Sequence, residues 1–205
     1  MIVVSQRGKI FGVGLPKTGT TSLFAACDLL GYRAGTYRHM RRLGLEEWFR
    51  GNLRAGQLAP YDALTDLPIP IFYPQLDEAF PESRFVLTVR DVDAWLDSAA
   101  RHWQGLRRRD RRLRPRLTGA VRYSRMTRLA TFGMVGFSAE RFRYVYEKHV
   151  RDVAGYFRDR PRNLLVLDIC AGEGWDKLCP FLGMPVPATA FPRVQPGYQP
   201  ATEHA

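Results

Sequence analysis

Lysine is scarce in this chain. Only four of its 31 basic residues are lysines, and one of them, Lys17, sits inside a glycine- and threonine-rich turn. Residues 10–23 read IFGVGLPKTGTTSL: an apolar run breaks at Gly14 and order resumes at Thr20, where the sequence SLFAACDLL has helical spacing. A turn of this kind between a strand and a helix N-terminus aims backbone N–H groups and the positive end of the helix dipole at one point, which suits an anion, most often phosphate. The lysine narrows the choice of phosphate. A nucleoside-triphosphate loop reads GxxxxGK[ST]. With Gly14 and Gly19 in the glycine positions, Thr20 stands where that lysine belongs, and the lysine falls at position 17. The dinucleotide pattern GxGxxG also fails, because no glycine follows Gly12 and Gly14 at the required place. A second cluster lies at FVLTVRDVDAWLDS, residues 85–98. Arg90 ends an apolar strand, at the edge where open α/β sheets bind ligands. Ser98 is eight residues on, about two helical turns into the next helix, and can face the same ligand. An arginine suits phosphate because its planar fork donates two parallel hydrogen bonds.

PKTGTTSL resembles the 5′-phosphosulfate loop of the sulfotransferases, and a strand-end arginine with a serine eight residues later resembles their 3′-phosphate grip. The segments TDLPIPIFYPQLDEAFPESRFVLTVRD and WDKLCPFLGMPVP…FPRV look like the small, compact branch of that family. The resemblance covers most of the chain outside residues 105–130. It implies 3′-phosphoadenosine-5′-phosphosulfate (PAPS) as donor, 3′-phosphoadenosine-5′-phosphate (PAP) as product, and no obligatory metal. It implies that Pro16, Lys17, Thr18, Gly19, Thr20 and Thr21 form the loop, with Lys17 and the amides of Thr18 to Thr21 on the bridging oxygen and 5′-phosphate, and that Arg90 and Ser98 hold the 3′-phosphate. The Arg-Lys-Gly loop of larger members is absent, and Arg193 in FPRV is the obvious substitute. Many members have proline after the Arg-Asp pair where this chain has Val92. For the base, Asp66 at the end of a predicted strand resembles the counterpart of the family's His or Glu, although a turn aspartate before Pro68 is an equal reading. His39 and His102 are rivals. His39 lies among Arg38, Arg41 and Arg42, whose charge favours its neutral form, whereas His102 reads as helix surface and His149 as core. The acceptor is an unnamed hydroxyl or amine on a small molecule, glycan or lipid.

These residues need a scaffold that brings loop ends together. Apolar runs at Lys9–Val13, Tyr61–Thr65, Arg84–Val89 and Leu164–Ile169 alternate with helical patterns at Thr20–Leu30, Leu45–Ala55, Phe72–Phe80, Val92–Trp103 and Trp175–Leu182. Alternation of this kind predicts an α/β fold: a P-loop-type parallel β-sheet of about four to five strands flanked by helices as three α/β/α layers. Ser138 caps a predicted helix reaching about Arg158, with Phe142, Val145, His149, Val153 and Tyr156 on one stripe. Residues 1–190 form one domain, 105–130 an arginine-rich helical insertion or flap too polar for the core, and 191–205 an irregular tail.

Composition excludes some classes. With 45% hydrophobic and 25% charged residues the chain has ordinary globular content, and no apolar run approaches about 18 residues. No secretory signal is evident at MIVVSQRGKIF, which makes a cytoplasmic location the expectation. Cys27, Cys170 and Cys179 lack metal-ligand spacing. A net charge of +11 favours anionic ligands, nucleic acid or peripheral contact with an anionic membrane. A nucleic-acid module built on the Arg107–Arg116 run lacks interleaved aromatics, so nucleic acid is an unlikely partner. A P-loop kinase or NTPase lacks its lysine at position 20. VLDICAGEGW (166–175) resembles a methyltransferase motif, but too little chain follows it for that fold, which leaves Asp168 structural.

Overall fold

A computed structural model describes residues 8–43, 45–112 and 119–194. Among these residues, five short strands build one parallel sheet: β1 (Ile10–Gly12), β2 (Ala34–Gly35), β3 (Ala63–Thr65), β4 (Arg84–Thr88) and β5 (Leu164–Leu167), in the order β2-β3-β1-β4-β5. Because side chains alternate across a strand, each strand feeds two cores. Ile10, Ala63 and Val86 pack with Leu23, Cys27, Trp175 and Leu178 on one face. Phe11, Leu64, Phe85 and Leu87 pack with Met40, Trp48, Val153 and Phe157 on the other. The expected three layers result.

Among the described residues, seven α-helices surround the sheet: α1 (Thr20–Leu29), α2 (Tyr37–Arg42), α3 (Tyr73–Ala79), α4 (Val92–Arg112), α5 (Gly119–Phe132), α6 (Ala139–Tyr156) and α7 (Trp175–Leu182). The expected helix over Leu45–Ala55 is instead a 3₁₀ turn at Leu45–Arg50 with a second at Ala55–Leu58; buried Trp48 anchors the first through its Nε1–H to Gln57 Oε1. Helix α6 starts at Ser138, whose Oγ accepts from the Arg141 N–H, and buries Phe142, Tyr146 and Val153, while Tyr156 is exposed.

Residues 105–130 differ most from expectation. Their first part continues α4 through Arg112, residues 113–118 lie outside the described residues, and residues 119–132 form α5. Helix α5 is far from an exposed flap: Val121, Tyr123, Ser124, Thr127, Arg128 and Phe132 are buried, while Arg122 and Arg125 face out. Its polar average conceals an inward face on which Thr127 and Thr131 satisfy their hydroxyls against the carbonyls one turn back. Phe132 stacks on Phe142 at 4.2 Å and meets Trp103 at 5.1 Å, which closes a third core between α4, α5 and α6.

Candidate active site

Loops leaving the C-terminal ends of all five strands converge on one cavity of about 750 Å³. The loop after β1 is locked from below. Thr18 Oγ donates to Leu15 O at 2.7 Å and lies 2.6 Å from Thr88 Oγ on β4. Gly14 is obligatory there, since a Cβ would sit 1.9 Å from Thr88 Oγ and 2.5 Å from Thr88 O. His149, on α6, holds Val13 O through Nε2 at 2.7 Å, as a core histidine should; burial lowers its pKa. Trp95 donates Nε1–H to Pro16 O at 2.9 Å.

Above these anchors the loop opens toward the cavity. Lys17 takes φ of 78° and Gly19 φ of 99°, so the chain turns sharply into α1. Gly19 caps α1 with no side-chain acceptor, and no acidic residue stands in the first turn. The helix N-terminus is therefore left with its positive end toward the cavity, where Lys17, Gly19, Thr20 and Thr21 line the wall beside Pro16. Thr18 departs from the expected set: its side chain is fully buried, its N–H turns back to Leu15 O, and it does not line the cavity.

Arg90 follows β4 and is clasped by one side chain. Tyr146 accepts from the Arg90 N–H at 2.8 Å and donates to Arg90 O at 2.6 Å. Tyr146 in turn stacks on Trp95 at 4.5 Å, so the loop and the arginine share one aromatic support. The Arg90 guanidinium reaches Lys17 O at 3.4 Å, and Ser98 lines the cavity from α4. Arg193 also reaches the wall, donating Nη2–H to Gly172 O at 3.0 Å, while Ser22 Oγ accepts from the Val194 N–H at 3.1 Å. Lys17 has its pKa lowered, first by burial and then by Arg90 and Arg101, with Asp66 opposing.

Asp66 stands at the end of β3 with φ of 74°; it and Lys17 are the two non-glycine residues with positive φ among the described residues. Such strain costs about 1–3 kcal/mol per residue and gathers at functional sites. The Asp66 carboxylate keeps a partial opening to the cavity but is otherwise enclosed by protein, and this desolvation pushes its pKa up to about 6. The Leu67 N–H, bound to Oδ1 at 2.8 Å, and Lys17 pull the other way. A carboxylate tuned toward neutrality beside a desolvated lysine is suited to accepting a proton.

Two histidine expectations need correction. His39 does not line the cavity: its Nδ1 accepts the Thr36 N–H at 3.0 Å in a capping box for α2, and its ring packs edge-on against Tyr61. A ring nitrogen committed to a cap is poorly placed to act as a base. His102, expected on the surface, is half-buried in the cavity wall. Sequence reasoning also missed Arg101, Ser124, Thr127 and Arg128. The signal was present: Ser98-Arg101-His102 and Ser124-Thr127-Arg128 both have i, i+3, i+4 spacing, which aligns polar groups on one helix face.

A sequence model of the sulfotransferase domain matches residues 9–199. The chain belongs to the sulfotransferase family. This sulfotransferase is also 27% identical, over 214 aligned positions spanning 91% of its length and 80% of the relative's, to the Ava biosynthesis cluster protein M of Aspergillus versicolor. Family members generally use PAPS, and the loop, the uncapped helix and the cavity fit such a ligand. Among the described residues no cluster of three or more His, Cys, Asp or Glu could hold a metal, and no helix is long and apolar enough to cross a membrane. Asp168, in the methyltransferase-like stretch, is a turn residue whose Oδ1 accepts the Ala171 N–H at 2.9 Å.

Proposed function

We propose that this sulfotransferase moves a sulfuryl group from PAPS to a hydroxyl or amine of an acceptor by in-line displacement. The observation that carries the reading is the convergence of Lys17, Arg90 and Asp66 on one cavity, at the ends of three adjacent strands. The donor supplies an activated sulfur. Lys17 and the first amides of α1 neutralise charge gathering on the 5′-phosphate side, a contribution of about 3–4 kcal/mol for a preorganised donor. Arg90, Ser98 and Arg193 grip the 3′-phosphate. An acceptor hydroxyl loses its proton to Asp66 as its oxygen bonds the sulfur and the sulfur–oxygen bond to the 5′-phosphate breaks. Proximity and alignment do much of the remaining work, as in phosphoryl transfer.

Calorimetric titration with PAP tests the reading. Binding by the wild type and at least a tenfold loss in Lys17→Ala and Arg90→Ala are expected. Absence of binding, or variants indistinguishable from wild type, would overturn it. The residues that set a triphosphate loop apart are missing, so ATP should not compete with PAP.

A further inference from the structure

Resting on that reading of the site, we propose that Arg101 is a further catalytic residue, one that holds the non-bridging oxygens of the donor's sulfuryl group. Its place on α4 is the first ground. Ser98 and Arg101 lie three residues apart, about 4.5 Å along the helix axis, and both line the cavity. Side chains on a helix lean toward its N-terminus, so the long Arg101 side chain is carried back over the turn that bears Ser98. That part of α4 is pinned to the loop after β1, because Trp95, one turn before Ser98, donates to Pro16 O at 2.9 Å. Arg101 therefore leans toward the end of the cavity that Pro16 and Lys17 line.

The second ground is electrostatic. The Arg101 charge is felt at Lys17, where it joins Arg90 in opposing the lysine's protonation. Arg90 and Arg193 are both felt at Cys170, on the side of the C-terminal segment. Cations brought together repel, and an anion lying between them reverses the sign of that interaction. The third ground is availability. Arg90 is tied to Lys17 O and Arg193 to Gly172 O. Arg101 is exposed, and among the described residues no hydrogen bond or ion pair holds its guanidinium, which leaves its N–H donors to a ligand in the cavity. The donor has a group to match. Lys17 and the first amides of α1 serve the 5′-phosphate side, while Arg90, Ser98 and Arg193 serve the 3′-phosphate, so the sulfuryl oxygens lack a holder. A planar guanidinium takes two such oxygens in parallel and so fixes the direction in which the sulfur faces the acceptor. The acceptor oxygen then bonds the sulfur as the bond to the 5′-phosphate breaks and the proton passes to Asp66, while Arg101 keeps its own protons throughout.

The test titrates PAPS and PAP calorimetrically into the wild type, Arg101→Gln and Arg108→Gln. The two ligands differ by the sulfuryl group, and at about pH 8, where a phosphate with its second pKa near about 6 is dianionic, they carry the same formal charge. Long-range attraction therefore cancels in their comparison. Arg101→Gln should weaken PAPS at least fivefold more than it weakens PAP. Arg108 is exposed on the same helix and does not line the cavity, so Arg108→Gln should weaken the two ligands alike. Arg101 is exposed too, and its variant should melt with the wild type. A difference below fivefold in Arg101→Gln overturns the proposal, whether because both ligands are weakened alike, as a 3′-phosphate contact would give, or because neither is. So does an equal difference in Arg108→Gln, which would mark a general effect of charge. A wild type that does not bind PAP, or does not bind PAPS, would instead sink the proposed function.

Discussion

Asp66 joins a left-handed backbone to a carboxylate whose pKa is raised to about 6, mainly by desolvation. Its consequence for activity is that kcat/KM should climb as pH rises through about 6, where the acid loses its proton and can accept one. Asp66→Asn should remove that inflection and cost about 10²-fold or more in kcat. For stability the sign reverses. An unfolded aspartate titrates near about 3.9, so the folded state binds this proton more tightly than the unfolded state does. The resulting stabilisation is complete below the unfolded value and lost as pH rises through about 6. Asp66→Asn should therefore melt higher than wild type near about pH 7.5, and that gain should shrink near about pH 4.5, as calorimetric scans at the two values will read. Asparagine also tolerates φ near 74°, so the substitution adds no new strain. Tyr146 poses a cleaner question because its hydroxyl bonds the backbone of Arg90 at both the N–H and the carbonyl. Removing its hydroxyl orphans an amide and a carbonyl at a cost of about 1–3 kcal/mol. Tyr146→Phe should weaken PAP binding several-fold while leaving the pH inflection of kcat/KM in place, since Asp66 is untouched.

The turn between β1 and α1 keeps its shape because β4 presses against it through Thr18, Thr88 and Gly14. Gly14→Ala should lower the melting temperature by about 5 °C or more, from an overpacking cost of about 1–3 kcal/mol, and abolish PAP binding. Adding Thr88→Ala should not restore it, because the Thr88 carbonyl, which would lie 2.5 Å from the new Cβ, still blocks it. Elements of this kind were legible in the sequence where one local signal sufficed. The strand-turn-helix of residues 10–29, the Arg84–Thr88 strand and the Ser138 cap each rest on adjacent residues and fell within one or two positions of expectation. Elements that depend on partners were not legible. Strand β2 is two residues long and exists because β3 pairs with it, so no periodicity could announce it. Helix α5 has a polar composition, and its buried face is defined by α4 and α6 more than by its own average. The site follows the same division: Lys17, Arg90 and Ser98 lie within contiguous motifs, whereas Arg128 and His102 enter the cavity through the packing of helices distant in sequence. His39 shows the converse, a residue of suitable chemistry that local geometry committed to a cap.

Across the whole molecule, the parallel sheet sets every strand's C-terminal end on one side, and this single edge gathers groups from residues 16 to 194. A large positive charge accompanies that geometry. The chain carries +11, and the cavity repeats the bias. Like charges repel in the folded state and attract an anionic ligand from solution, so salt should act on folding and on binding in opposite directions. The Debye length shrinks from about 30 Å at 0.01 M ionic strength to about 8 Å at 0.15 M. Over that range the stopped-flow association rate with PAP should fall by about tenfold as long-range steering is screened. Contacts made at short range inside the cavity are screened less, so the dissociation rate should change by a smaller factor. The apo protein's melting temperature should hold or rise over the same range in sodium chloride, because screening relieves the repulsion among its arginines. Arg90→Ala should reduce the slope of the association rate against ionic strength only modestly, since one charge of many is removed, while raising the dissociation rate markedly. An association rate indifferent to salt would mean that the basic surface does not guide the ligand and that its charge serves some other surface of the protein.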